Sequence, residues 1–360
     1  MKIIHTGDIH IGAAMKNLPL DKATLRKTEI LDGFRRLCAY AKDSGVAAVL
    51  IAGDLFDENK VAREVKKEVF AIIAAAKPVC FFYVSGNHDD EFDTADSLPE
   101  NLYTFSKTHG FQGYDIAENI TVTGIDTKNL SVQACAALRL PQERFNILLM
   151  HGEIQGDTNS REYIPLAALQ NKGVDYLALG HIHKPTAESL RLDSRGKYRY
   201  CGCLEGRGFD EIGPRGFFLL TVEKNRITDE KFLTFATRET VEVRLDISAC
   251  NSYYELENAA VSALQKVSEK HLVKLVLCGR YKAGLRKDLP LLSARLSARC
   301  FHLKIEDTSR ILLNPKDYET DLTERGEFVR EVGRYEMSEE LREEILQVGL
   351  QALNGEEIDL

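Results

Sequence analysis

The chain has 360 residues, 44% hydrophobic and 28% charged, which suits a soluble globular protein of two domains with a full core. No apolar run approaches the roughly 18 residues a membrane span needs, and the opening Met1-Lys2-Ile3-Ile4-His5 leaves no room for a signal peptide. Eight cysteines scattered through apolar runs point to reduced thiols in a cytoplasmic protein, so membrane, secreted disulfide-scaffold, collagenous and disordered classes are excluded.

The net charge of −8 is carried by the C-terminal end. Residues 315–360 hold five Lys/Arg and fourteen Asp/Glu, a net of −9, which leaves residues 1–314 at +1. Within that body Arg191 to Arg199 is at +3 and Arg280 to Lys287 at +4. The acidic total therefore does not argue against an anionic partner.

In chain order, Lys2 to Thr6 reads as a short strand and Lys22 to Lys42 as a helix, with Leu25, Ile30, Leu31, Phe34, Leu37 and Cys38 on one broad stripe. Val46 to Ala52 is a continuous apolar run, followed by a helix over 62–76 and a strand over 78–84. Phe145 to Met150 and Tyr176 to Leu179 are two more strands, with a helix predicted over 164–171 between them. Strands buried on both faces and alternating with helices define an α/β domain. From Tyr198 the pattern turns to strands at 198–203, 217–222 and 231–236.

A second unit begins near Thr240. It has a β-α-β-α-β pattern with strands at 241–247, 273–277 and 301–305 and helices at 254–267 and 288–298. Two acidic helices are predicted after Asp317, the second opened by the N-cap signature Ser338-Glu339-Glu340-Leu341. Their apolar positions either pack on the body or bind another chain. The expected division is 1–238, an α/β domain; 239–312, a small α/β domain; and 313–360, a helical tail that is a candidate partner-docking element.

Five short polar motifs stand at the ends of predicted strands: Asp8-Ile9-His10, Gly53-Asp54-Leu55-Phe56-Asp57, Gly86-Asn87-His88-Asp89, His151-Gly152-Glu153 and Gly180-His181-Ile182-His183. Ligands gather at the carboxyl ends of strands in α/β sheets, so the five clusters are expected to converge. The i,i+2 spacing of Asp8/His10 and of His181/His183 puts each pair on one side of an extended backbone. Singly, each motif is an ordinary turn or cap; five in order are not.

Asp8, Asp54, Asn87, His10, His151, His181 and His183 make seven oxygen and nitrogen donors. That is too many for one tetrahedral zinc, and suits two divalent ions if one carboxylate bridges. The absence of thiolates favours manganese, iron, zinc or magnesium. Two such ions would attract a phosphodiester anion and supply a nucleophile at neutral pH. His5, His109, His271 and His302 match no motif, and Cys201-x-Cys203 lacks a partner pair for zinc.

Asp-x-His, Gly-Asp-x-x-Asp, Gly-Asn-His-Asp, His and Gly-His-x-His together resemble the signature of calcineurin-like metallophosphoesterases over residues 1–211. Within that superfamily the chain is similar to SbcD-type DNA repair exonucleases, including a related bacterial subgroup that pairs with a different large ATPase. The similarity rests on the run from His5 to Gly12, the run from Asp175 to His183, Tyr200-Cys201-Gly202-Cys203 and Phe209-Asp210-Glu211.

The resemblance implies a metallophosphoesterase β-sandwich flanked by helices, then the small α/β cap and the helical tail. It implies two metals, manganese first among them, one held by Asp8, His10, Asp54 and His183, the other by Asp54, Asn87, His151 and His181. His88 would stabilise or protonate the leaving oxygen, and Asp57 would hydrogen-bond His88. The implied activity is DNA exonuclease action, with endonuclease action as a possible companion, in a homodimer partnered by an SbcC-like coiled-coil ATPase.

DNA contacts are expected from Arg195 and Lys197 and, in the cap, Arg280 and Lys282. The chain departs from some nucleases of the family at Asp57, where they have histidine, and at Cys203, where serine is frequent. Glu58-Asn59 stands where protein phosphatases of the superfamily have Arg-Gly, which argues against a phosphoprotein substrate. The alternatives are a small-molecule or cyclic-nucleotide phosphodiesterase on the same site, or a non-catalytic scaffold. The complete ligand set and His88 weigh against the scaffold.

Overall fold

The computed structural model describes residues 1–57, 61–89, 98–105, 110–158, 160–312 and 318–355. Glu58-Asn59, His109 and the first and last residues of the predicted tail lie outside them. The chain divides into two compact units, Met1–Glu239 and Thr240–Leu360.

The first unit runs β1 (Lys2–Thr6), α1 (Leu20–Asp43), β2 (Ala48–Ala52), α2 (Arg63–Ala75), β3 (Cys80–Val84), β4 (Leu102–Thr104), β5 (Gln112–Ala117), β6 (Ile120–Gly124), α3 (Val132–Ala137), β7 (Phe145–His151), α4 (Leu166–Leu169), β8 (Tyr176–Gly180), β9 (Leu190–Arg191), β10 (Lys197–Tyr200), β11 (Gly216–Glu223) and β12 (Arg226–Thr234). Among the described residues these strands form two six-stranded sheets, in the orders β12-β11-β1-β2-β3-β4 and β5-β6-β7-β8-β10-β9. Strands β1 to β4 are parallel, as are β6, β7, β8 and β10, while the β11–β12 hairpin closes the first sheet antiparallel to β1.

Three apolar layers follow from the alternation of side chains along each strand. Ile3, Leu50, Phe82 and Val84 of the first sheet pack against Val122, Ile147, Leu149 and Tyr176 of the second. The other face of the first sheet, with Ile4, Val49, Ile51 and Phe81, is covered by Phe34 and Leu37 of α1 and Val69 and Ile73 of α2. On the outer face of the second sheet, Leu148, Met150, Leu177 and Leu179 pack with Cys135 of α3 and Leu169 of α4. Each such buried side chain contributes about 1.5–3 kcal/mol, and the layers fix the strand ends as rigid mounts. The arrangement is the expected β-sandwich flanked by helices.

Differences from the sequence reading are local. The helix expected over 164–171 is one turn, because Pro165 caps it and Gln170 is already extended. Strands β4, β5 and β6 were not legible from apolar runs. No residue of β5 is fully buried, and β6 carries Thr121 and Thr123 among its buried positions.

The second unit contains β13 (Thr240–Asp246), α5 (Tyr253–Leu264), β14 (Leu272–Cys278), β15 (Arg280–Tyr281), α6 (Leu289–Leu296), β16 (His302–Asp307), β17 (Arg310–Ile311), α7 (Glu324–Gly333) and α8 (Glu339–Leu353). Its main sheet is parallel, in the order β13-β14-β16. Side chains cap three helices: Ser252 accepts from the Glu255 N–H, Asp288 from Leu291, and Ser338 from Leu341. Val329 and Val332 of α7 and Leu346 and Leu350 of α8 share one core with Leu256, Leu275, Leu292 and Leu296. The acidic helices thus bury their apolar faces in this unit.

Among the described residues no helix is long and apolar enough to cross a membrane. All eight cysteines are free.

Candidate metal centre

The loops that follow β1 and β2 are laced together. The N–H groups of Ile9 and His10 both donate to the Asp54 carbonyl at 2.9 Å, and that of Asp8 to Gly53 at 3.1 Å. This lacing holds Asp8, His10 and Asp54 in the left-handed region, at φ 47°, 51° and 49°, and His181 after β8 has φ 96°. Four non-glycine residues in so sparse a region cost about 1–3 kcal/mol each, a concentration typical of working sites. Close approach explains Gly86, where a Cβ would overlap the Asp54 carboxylate.

Asp89 ties the next loop in. Its buried carboxylate accepts from the N–H groups of Phe56 at 2.9 Å and Gly86 at 2.8 Å, binding the turn after β3 to the loop after β2.

The predicted donors meet around Asp54. Its Oδ2 lies 3.6 Å from His10 Nε2 and 3.6 Å from His151 Nε2. His10 Nε2 faces His183 Nε2 at 3.2 Å; His151 Nε2 faces Asn87 Oδ1 at 2.9 Å and His181 Nδ1 at 3.3 Å. Asp8 accepts the His181 N–H on both oxygens, at 2.9 and 3.0 Å. Asp8, His10 and His183 form one compact ligand group, and Asp8, Asp54 and His151 another.

Backbone and carboxylate partners set the ring tautomers. His151 Nδ1 donates to the Ala52 carbonyl at 2.9 Å, and His183 Nδ1 to Glu211 Oε1 at 2.6 Å. In both rings the lone pair is therefore on Nε2, the nitrogen facing the cluster.

Burial holds the two histidine rings in the state a metal requires. It lowers the pKa of His10 and of His151 to about 4, so both rings are neutral near pH 7. Burial and the neighbouring Asp54 push Asp8 well above the usual carboxylate range. Asp54 is held below it: burial opposes its charge, but the surrounding His151, His10 and His88, including the His88 N–H, together outweigh that. Two buried carboxylates there face ring lone pairs and an amide oxygen, an electron-rich centre. The nitrogen and oxygen donor set fits divalent cations there.

His88 is bound through its N–H to Asp54 Oδ1 at 3.0 Å, and its ring stacks edge-on to His10 with centroids 5.1 Å apart. Asp57 departs from expectation. Its Oδ1 lies 3.4 Å from His10 Nδ1 and accepts from Arg207 Nη1 at 3.1 Å, while a ring nitrogen of His88 is within 4.8 Å. Among the described contacts Asp57 meets His10 and Arg207, and the Asp57–His88 hydrogen bond implied by the resemblance is not among them.

The four expected DNA-contacting residues have internal partners. Arg195 forms a two-pronged pair with Asp175, at 2.8 and 2.7 Å, and also donates to the Gln142 carbonyl at 2.6 Å. Lys197 pairs with Glu230. In the second unit Arg280 lies 3.9 Å from Glu343, and Lys282 donates to Asn251 Oδ1 at 2.9 Å.

Sequence reasoning assigned no role to Glu211, Arg207 or Asp89. Glu211 and Asp89 stood inside quoted motifs, but nothing in their spacing said which backbone or ring they would meet. Arg207 carried no signal at all.

A β-sandwich with oxygen and nitrogen donors gathered at its strand ends defines a metal-dependent phosphoesterase, a hydrolase. A family model for calcineurin-like phosphoesterases matches residues 1–185, and the chain belongs to that family.

The chain is similar to an uncharacterized metallophosphoesterase, YhaO, of Bacillus subtilis, at 26% identity over 303 residues, 78% of this chain and 72% of the relative. It is similar to the SbcD component of the nuclease SbcCD from Staphylococcus epidermidis, at 22% over 312 residues, 73% and 80% of the two chains. A DNA double-strand break repair protein, Mre11, of Methanopyrus kandleri is 24% identical over 262 residues; the match spans 65% of this chain and 56% of that one.

Proposed function

We propose that the protein is a two-metal phosphodiesterase that acts as a DNA exonuclease in DNA repair, as the nuclease subunit of a complex with an SbcC-like coiled-coil ATPase. The observation that carries the two-metal part is the position of Asp54 Oδ2, 3.6 Å from a ring nitrogen in each of two histidine groups. That is where a bridging carboxylate belongs. Asp8, His10 and His183 would complete one site, and Asn87, His151 and His181 the other; manganese suits this donor set. When bound, the ions supply Lewis acidity and an activated water.

The residues themselves orient the ligands and supply a proton donor. Glu211 and the Ala52 carbonyl keep His183 and His151 in the ligating tautomer. His88, beside His10 and outside the ligand set, would donate a hydrogen bond or proton to the departing oxygen. DNA as substrate is supported by the nuclease and break-repair names of two relatives. The ATPase partner and homodimer are expectations from the resemblance.

The test is cleavage of end-labelled linear double-stranded DNA by the purified protein, with manganese, with chelator, and with His88→Gln. We expect a metal-dependent ladder absent from His88→Gln, although that variant keeps its metal by elemental analysis. Near-normal turnover in His88→Gln would remove His88 from the chemistry. Intact DNA alongside cleavage of a simple phosphodiester ester would favour the small-molecule or cyclic-nucleotide reading.

A further inference from the structure

Arg207 brings a full positive charge to the candidate centre on a backbone fixed from both sides. Behind it, the fully buried Arg26 donates through Nη2 to the Gly206 carbonyl at 2.9 Å and to Glu205 Oε2 at 3.2 Å. Glu205 is held in turn by the N–H and hydroxyl of Thr237, at 2.7 and 2.8 Å. In front, the N–H of Arg207 donates to Glu211 Oε2 at 2.6 Å, and the other oxygen of that carboxylate takes His183 Nδ1. One carboxylate therefore holds both the ring of a candidate metal ligand and the backbone that carries the guanidinium beside it.

The guanidinium is only partly used. Nη1 donates to Asp57 at 3.1 Å, and Nη2 points at His183 Nε2 at 3.4 Å. Nε is buried with no hydrogen-bond partner among the described residues. A buried donor without an acceptor is costly, and such groups call for an explanation. The contact to His183 uses the same lone pair a metal would take. With that lone pair on a cation, Nη2 and Nε are left as adjacent donors on one edge of a planar fork. That edge matches two oxygens, or one shared oxygen, of a phosphoryl group.

We propose that Arg207 is a substrate-binding residue that grips a non-bridging oxygen of the scissile phosphate when the metals are in place, with Glu211 setting its position relative to His183. This rests on the phosphodiesterase reading above and adds to it the residue that binds the anion.

The experiment uses the full chain loaded with manganese and inorganic phosphate as the probe. Phosphate binding is read by calorimetry, metal content by elemental analysis and folding by thermal unfolding. We expect Arg207→Gln to keep wild-type metal content and unfolding while binding phosphate about 10- to 100-fold more weakly, the loss of one charge-assisted contact pair. Arg207→Lys, which keeps the charge without the fork, should recover part of that loss. On a simple phosphodiester ester the glutamine variant should show its deficit in kcat/KM.

Unchanged phosphate affinity in a metal-loaded Arg207→Gln would overturn the role of Arg207 and leave the metal centre standing. Loss of metal from Arg207→Gln and Arg207→Lys alike would make the residue a support of the site and also overturn the proposal. A metal-loaded wild type that neither binds phosphate nor cleaves the ester would overturn the phosphodiesterase reading, and this proposal with it.

Discussion

Asp8, His10, Asp54 and His181 adopt positive-φ backbone conformations uncommon outside glycine, and hydrogen bonds between the loops hold them there. Such strain persists because the ligand atoms must converge within a few ångströms while their strands stay apart.

The same tightness shows at His5, which lies one residue before the loop. It is fully buried, with Nδ1 2.9 Å from the Tyr176 hydroxyl, and burial lowers its pKa to about 3. A base with a depressed folded pKa binds its proton more readily when unfolded. His5 therefore supports folding fully above its unfolded value of about 6.5, and that support is lost as pH falls toward 3. Between pH 7 and pH 5 its share of the loss is about 2 kcal/mol. Metal-free wild type should lose that much more stability than His5→Gln over the interval, as read by urea unfolding at the two pH values. Parallel pH profiles would show that His5 is not the group responsible.

At the scale of the element, the site is a set of loops pinned by carboxylates. Asp89 ties the loop after β2 to the turn after β3, and Glu211 reaches back from the segment after β10 to the histidine that follows β8. Burial opposes the charge on Glu211, yet the His183 and Arg207 contacts win and hold its pKa down to about 2, so it is ionised at any working pH. Removing such an orienting partner from a ligating histidine lowers metal affinity by about 10- to 100-fold. Glu211→Ala should show that loss in manganese titrations. Its unfolding temperature without metal should fall below wild type because the Arg207 N–H and His183 Nδ1 lose their buried acceptor, so the titration is run where the variant is still folded. Wild-type manganese affinity in the variant would mean that the ring holds its tautomer without Glu211.

Across the whole molecule, the two units have separate cores, and the acidic helices belong to the second. Val329, Val332, Leu346 and Leu350 lie within its apolar cluster, so α7 and α8 are structural parts of that unit as well as the proposed place for a partner. Deleting residues 318–360 should lower the unfolding temperature of the second unit, or abolish its transition, by removing the part of its apolar cluster that α7 and α8 supply and stripping α8 from Ile311 of β17. Manganese binding by Met1–Glu239 should persist, because every candidate ligand lies in that unit. Calorimetry and metal titration of the same truncated protein check both halves. Loss of metal binding would make the first unit dependent on the second.

The alternation of short apolar runs with helical stripes was enough to recognise the α/β character of the chain, its second unit and the capped helix after Ser338. Period and capping are local properties carried by a few adjacent residues. The five strand-end motifs were legible for the same reason: each is contiguous, and the carboxyl ends of parallel strands lie at one edge. Strands β4 to β6 were not: β4 and β5 are edge strands without a continuous apolar run, and the buried β6 breaks its apolar residues with Thr121 and Thr123.

Tertiary structure alone decided the rest. Asp57 turns to His10 and Arg207 instead of His88, Arg195 closes on Asp175, and Glu211 finds His183 across 28 residues of chain. Which charged groups meet depends on distances between segments far apart in sequence. Those distances are set by how the two sheets pack, and no spacing along the chain encodes them.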